Sequence, residues 1–270
     1  MNPPVALTVA GSDSGGAAGI AADLTTFAAL GVHGACVVTA VTAQDTTGVR
    51  DVHPVPPGTV ATQLDAVLDD LPVAAVKTGM LGSAAVVELL ARRLHGLSLV
   101  VDPVLVATSG AVLGDRAVVE AYRRHLLPAA TVVTPNVDEA RALLGSTPGP
   151  DAGPEAAAEE LSRLGPAVVL TGGGGAATCT DWLALPGQAP VPFRHRTVAT
   201  TNDHGTGCTF SAAVAAHLAR GVGLEPAVAA AGAFTASRLE LSRHWTLGRG
   251  RGPVAHTSRT HTTAPEETPR

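Results

Sequence analysis

The segment Thr201–Ala219 reads TNDHGTGCTFSAAVAAHLA, and its centre, HGTGC, carries the most pointed chemistry in the chain. Gly205, Thr206 and Gly207 stand directly before an alanine-rich run with helical character. Glycines let the backbone turn tightly, and the unpaired N–H groups of a helix start converge on an anion. Cys208 sits at the same place, where the helix dipole is expected to draw a thiol pKa toward neutrality. The pattern predicts an anion site with a reactive thiol at its edge. An inert buried cysteine is the competing reading, and the flanking glycines and threonine tip the balance against it.

Other polar residues follow other apolar runs. In GSDSGGAAGIAADL, Gly11–Leu24, the glycines let backbone approach a ligand closely, and Asp23, one turn into a helix, can accept hydrogen bonds from the amino group of a heterocycle. The spacing is not that of a dinucleotide fingerprint. Gln44 ends a second run, and Met80 closes VKTGM, where it can form an adaptable apolar wall over a flat ring. Lys77, the only lysine in the chain, lacks the preceding glycines of a P-loop. Asp102 interrupts the apolar run LVVDPVLV, and TPNVDEA brings Asn136 and Glu139. Two carboxylates at the mouths of neighbouring buried strands suit Mg2+, which takes a few oxygens together with waters and nucleotide phosphates. Glu139 is also well placed simply to open a helix. The run LTGGGGAAT, Leu170–Thr178, which includes Thr171 and Gly173, either lies over phosphates or forms a flexible turn.

These residues need a scaffold that gathers them. VALTVAG, ACVVTAVTAQ, AAVKTGM, LSLVVDPVLV, ATVVTPN and PAVVLTGG read as unbroken apolar strands. They alternate with helices expected near 17–30, 57–70, 83–95, 114–126, 137–144, 154–164, 206–219 and 224–241. Strands and helices alternating in this way predict an α/β fold with a mostly parallel sheet covered on both faces. In such sheets ligands lie beyond the carboxyl ends of the strands, where every residue singled out above falls. Asp181–Val198 reads as a hairpin with PGQ as its turn, and the Pro/Gly-rich stretch at 146–154 as a loop. Residues 1–256 read as one domain, and the polar segment 257–270 as a disordered tail.

Bulk properties exclude several classes. The chain of 270 residues is 46% hydrophobic and 15% charged, with a formal charge of −5, so it offers no basic face for nucleic acid. No signal peptide and no membrane-length apolar run is legible, which predicts a cytoplasmic protein. Three widely spaced cysteines, Cys36, Cys179 and Cys208, have neither disulfide nor zinc-motif spacing.

In order, GSDSGGAAGI, AQDTTGV, KTGM, DPVLVATSG, TPNVDEA, NDHGTGCTFSAA and GRGRGPVAH resemble the hydroxymethylpyrimidine/phosphomethylpyrimidine kinase family of thiamine biosynthesis, from Val5 to about His256. The resemblance implies a ribokinase-like three-layer sandwich, usually a homodimer. It also implies transfer of the γ-phosphoryl of Mg-ATP to 4-amino-5-hydroxymethyl-2-methylpyrimidine and then to its monophosphate. On matching positions, Gly11, Asp23, Gln44 and Met80 would bind the small-molecule substrate, Asp23 and Gln44 reading its amino edge. Asp102 and Glu139 would serve the Mg2+, and Asn136, Thr171, Gly173, Thr206 and Gly207 the ATP. Gly205, Thr206 and Gly207 would form the anion hole, with Cys208 accepting the proton of the substrate hydroxyl.

The chain departs from the family pattern in one respect that matters for charge. GIAADLTT replaces GIQADLKT, so Thr25 stands for a lysine; LTGGGG replaces VKGGH, so Thr171 does too; and NDHGTGC puts Asp203 beside the anion hole. These changes predict weaker phosphate neutralisation and better turnover of the hydroxymethylpyrimidine than of its monophosphate. A kinase for another hydroxymethyl heteroaromatic, such as pyridoxal, and a non-catalytic pyrimidine-binding paralogue are the alternatives.

Overall fold

The computed structural model describes residues 2–106, 113–145, 153–174 and 177–257. One nine-stranded sheet runs through them in the order β3-β2-β1-β4-β5-β6-β7-β8-β9. The parallel strands are β1 (Val5–Gly11), β2 (His33–Asp45), β4 (Val73–Thr78), β5 (Ser98–Val101), β6 (Val132–Val133) and β7 (Ala167–Gly174). Antiparallel strands flank them: β3 (Gly48–Pro54) on one edge, β8 (Thr178–Ala184) and β9 (Val191–Arg196) on the other.

Successive residues of the strands serve opposite layers, as the two-residue period requires. Leu7, Val9, Val76, Leu99 and Val101 pack on one face against α2 (Pro57–Leu68), α3 (Ala84–Arg93), α4 (Arg116–Ala121), α5 (Val137–Leu144) and α6 (Pro154–Ser162). Ala6, Ala75, Val100 and Val132 face α1 (Gly19–Ala29), α7 (Thr206–Ala219) and α8 (Leu224–Ser242). The result is the three-layer α/β sandwich expected from the alternating runs. Most of α7 is buried, and its alanines at 212, 213, 215 and 216 have no exposure. Small side chains let it lie close over the middle of the sheet, which carries its N-terminus to the strand ends.

Three expectations shift. The edge strand β3 was not anticipated: it pairs with the extended end of β2 as a ribbon beyond the main sheet. β5 stops at Val101, and Pro103, which cannot donate to a ladder, stands just after it. The helix expected over 114–126 begins at Arg116, runs as α only to Ala121, and ends in a π turn and a short 3-10 turn around Pro128. Most of the 146–154 loop, the stretch 107–112 and the 258–270 tail lie outside the described residues.

Candidate active site

The carboxyl ends of β1, β4, β5 and β6 and the N-terminus of α7 enclose a cavity of about 170 Å³. It is lined by Gly11, Gln44, Met80, Asp102, Asn136, Glu139 and Thr171, together with Gly205, Thr206, Gly207 and Cys208. Residues far apart in sequence therefore meet where the strand-end rule places them. A second cavity of about 380 Å³ lies on the β8–β9 side and shares Asn136, Thr171, Asp203, Thr206 and Gly207 with the first. Thr206 and Gly207 of the GTG turn thus border both, and Gly205 the first. Gly173 continues β7 opposite Thr180.

Only glycine fits at the head of this turn. Gly205 caps α7 with φ +90°, and a Cβ there would overlap the carbonyl oxygen of Ala17. Contact with that backbone seats α7 against the loop leading into α1. At Gly11 the Met80 methyl occupies the space a Cβ would take, so a larger residue there would displace the end of the Met80 side chain.

Asp23 corrects an expectation. It is fully buried, and both of its oxygens face Lys77, whose Nζ lies 2.9 Å from Oδ1 and 3.1 Å from Oδ2. Thr8 donates a third contact at 2.6 Å. Such a carboxylate has no edge left to read a ring from the cavity. Lys77 has no exposure either, and it also lies 3.5 Å from Asp102 Oδ2. Burial disfavours its charge, but the negative fields of Asp23 and Asp102 outweigh that cost and hold the ammonium charged. Asp102 is further fixed by the Ser211 hydroxyl, which donates at 3.0 Å.

Cys208 corrects a second. Burial pushes its thiol up to about 12; Lys77 pulls the other way, while Asp102 and Asp23 add to the rise. A helix terminus contributes only ~0.3–1 kcal/mol in most settings, too little to overcome desolvation beside two carboxylates. Cys208 is a neutral thiol in the unliganded site.

Glu139 opens a helix, one of its two expected roles. Asn136 and Glu139 form a reciprocal capping box at the start of α5: Asn136 Oδ1 accepts from Glu139 N at 2.9 Å, and Glu139 Oε2 accepts from Asn136 N at 2.9 Å. Glu139 also borders the cavity, where burial and then the charge of Asp102 raise its carboxyl to about 8, against the N–H groups of Asn136 and Leu105. Two carboxylates at one cavity, one of them raised by the charge of the other, suit a divalent cation such as Mg2+.

The sequence reading missed four residues. Asp13 accepts from the backbone N–H of Gly15, Ala17 and Ala18 at 2.8, 3.1 and 2.9 Å, and its Oδ2 lies 3.1 Å from His204 Nε2. Burial opposes its charge, but His204 and the N–H groups of Gly15 and Ala18 prevail and hold it below the usual carboxylate range. His204 Nε2 in turn lies 3.1 Å from Gln44 Nε2. A nitrogen that donates to Asp13 cannot also accept from an amide N–H, so His204 packs beside the Gln44 side chain without relaying a hydrogen bond to it. Asp203 is covered by Arg251, and Lys77 is the cation beneath the floor. Each lies in a segment singled out in the sequence, Asp13 in GSDSGGAAGI, Lys77 in KTGM, His204 in NDHGTGC and Arg251 in GRGRGPVAH, but none had been given a role in the site.

A model of the family described as Phosphomethylpyrimidine kinase matches residues 13–255. A hydroxymethylpyrimidine/phosphomethylpyrimidine kinase from Synechococcus elongatus is 45% identical, covering 95% of this chain and 98% of its own. The structure of the pyridoxal kinase from Staphylococcus aureus in complex with AMP-PCP and pyridoxal is similar at a TM-score of 0.84 and 32% identity, covering 97% of this chain and 96% of its own. The phosphomethylpyrimidine kinase structure from Clostridium difficile matches at a TM-score of 0.74 and 33% identity, over 87% and 98% of the two chains. The sandwich is the ribokinase-like arrangement that the motifs implied, and the chain belongs to the phosphomethylpyrimidine kinase family.

Proposed function

We propose that this protein transfers the γ-phosphoryl group of ATP to the hydroxymethyl group of 4-amino-5-hydroxymethyl-2-methylpyrimidine and then phosphorylates the monophosphate. The observation that carries the reading is the pair Thr206–Gly207 at the start of α7, shared by two cavities, one holding Gln44 and Met80, the other bounded by β8, β9, α7 and α8. A phosphoryl donor in the larger cavity and an acceptor alcohol in the smaller would meet at the N–H groups of Thr206 and Gly207. Phosphoryl transfer needs this alignment and charge stabilisation more than covalent help.

Roles follow from the geometry. Met80 forms an apolar wall for the ring, and Gln44, packed beside the His204–Asp13 pair, hydrogen-bonds its polar edge. Asn136, Thr171, Gly173, Thr206 and Gly207 accompany the nucleotide. Asp102 and Glu139 would hold Mg2+, which would neutralise charge on the nucleotide phosphates. Lys77 anchors Asp102 from below and adds a positive field. As a neutral thiol, Cys208 aligns the alcohol and takes no proton. The alcohol's O–P bond forms as the bond between the γ-phosphorus and its bridging oxygen breaks and ADP leaves, and the hydroxyl proton passes to an oxygen of the transferred phosphoryl group. The intact Asp102, Glu139 and GTG turn favour catalysis over a purely binding role.

The likeness to a pyridoxal kinase structure supports a second acceptor, pyridoxal, as a competitor for the smaller cavity. Mg2+-dependent ADP release with each alcohol tests the assignment, and activity with hydroxymethylpyrimidine above that with pyridoxal supports it. A homodimer is inferred from the family resemblance and is checked by sedimentation.

A further inference from the structure

We propose that Cys179, Asp181 and His195 form a three-ligand site for a thiophilic divalent cation, best matched by Zn2+. The three side chains lie on one face of the β8–β9 hairpin. Cys179 and His195 are direct cross-strand partners, and Asp181 is two residues along β8, where the side chain returns to the same face. Two rigid strands therefore set the spacing, with no contribution from a loop.

The distances fit such an ion. Cys179 Sγ lies 4.0 Å from Asp181 Oδ1, His195 Nε2 lies 3.2 Å from Asp181 Oδ2, and the three ligand atoms all fall within 4.8 Å of one another. Tetrahedral Zn2+, with bonds of ~2.3 Å to sulfur and ~2.0–2.1 Å to nitrogen and oxygen, places ligand atoms roughly 3.3–3.6 Å apart. Small side-chain adjustments would close the set.

Outer contacts orient the ligands. The N–H of Gly172 donates to Asp181 Oδ1 at 3.0 Å, and His195 Nδ1 lies 3.4 Å from the carbonyl oxygen of Arg196. A carbonyl only accepts, so the tautomer with hydrogen on Nδ1 satisfies this contact and leaves the Nε2 lone pair for a cation, whereas without a cation an Nε2–H donates to Asp181 Oδ2. Two acceptors at 3.2 Å require a proton or a cation between them. The cysteine distinguishes these cases, because a proton shared by His195 and Asp181 makes no use of sulfur. All three residues border the larger cavity, so the fourth coordination position is open to water or a ligand oxygen. The site stands independently of which alcohol the enzyme phosphorylates.

The nucleotide-free full chain should bind one equivalent of Zn2+ in equilibrium dialysis. With Co2+ as the probe it should show a thiolate-to-metal charge-transfer band. Cys179→Ser should abolish that band and weaken Zn2+ binding at least tenfold, His195→Gln should weaken it similarly, and Cys36→Ser should change neither. Thermal melting of the metal-free variants checks that each is folded, and His195→Gln serves if Cys179→Ser is not. The absence of a charge-transfer band, or its survival in folded Cys179→Ser, would overturn the proposal.

Discussion

Arg251 grips Asp203 with two arms of its guanidinium: Nε lies 2.8 Å from Oδ1, and a terminal nitrogen meets Oδ2. Asp203 sits at the turn leading to the anion-binding glycines, where its carbonyl accepts from the N–H of Thr206 at 3.2 Å and the hydroxyl at 2.6 Å. The negative charge that sequence alone placed beside the phosphoryl site is thus offset by an arginine 48 residues away. Arg251→Gln should raise KM for ATP and for the monophosphate acceptor about tenfold each, equivalent to ~1.4 kcal/mol. The pair is partly exposed, so stability should change by less than ~1 kcal/mol. Adding Asp203→Asn should restore both KM values to within about threefold, and steady-state kinetics of the double-mutant cycle measures this coupling.

Lys77 is the only cation in contact with Asp23 and Asp102 among the described residues, and it has no exposure. Lys77→Met should cost about 3–5 kcal/mol in urea unfolding, because it leaves two carboxylates uncompensated. Lys77→Met with Asp23→Leu should recover part of that loss. A cost below ~1 kcal/mol would show that the pair is neutral in the native state.

Cys208 is predicted to be poorly reactive, since its thiol lies near 12 and is almost wholly protonated at pH 8. Mass-resolved iodoacetamide labelling of the unliganded protein should modify exposed Cys36 well before Cys208. Cys208→Ala should lower kcat by less than about 100-fold, whereas removing a general base typically costs 10²–10⁴. A larger loss, or fast alkylation of Cys208, would return the thiol to the role of proton acceptor.

His256 supplies a pH dependence. Burial first, and then the charge of Arg238, lower it to about 4, while its Nε2 lies 2.9 Å from the hydroxyl of Thr209 on α7. Between that value and the ordinary ~6.5, the unfolded chain binds the proton and the native one does not, so stability falls as pH drops through this window. Urea midpoints at pH 7 and pH 5 should show the decline, and His256→Gln should flatten it. An unchanged slope in the variant would mean that other groups control acid stability.

The sequence made the strand ends legible because unbroken apolar runs and helical stretches have different periods, and ligand-facing residues collect after the runs. Gln44, Met80, Asp102, Glu139 and the GTG turn were recoverable in this way, and all border one cavity. The state of Cys208 was not, because a thiol's pKa depends on burial and on Asp102 and Asp23, which lie far away in sequence. The same is true of Asp23: its helical position suggested a ligand-facing carboxylate, but its partner, Lys77, lies on a different strand. His204 and Asp13 were hidden because their contact spans 191 residues. Local pattern locates a residue on an element, whereas its charge state and partners come from tertiary packing.

The central claim is best tested by measuring Mg2+-dependent ADP release with 4-amino-5-hydroxymethyl-2-methylpyrimidine, its monophosphate and pyridoxal at equal concentration. The account predicts turnover of the hydroxymethylpyrimidine, slower turnover of its monophosphate and the least with pyridoxal. No ADP release with either pyrimidine, or faster release with pyridoxal than with both, would contradict it.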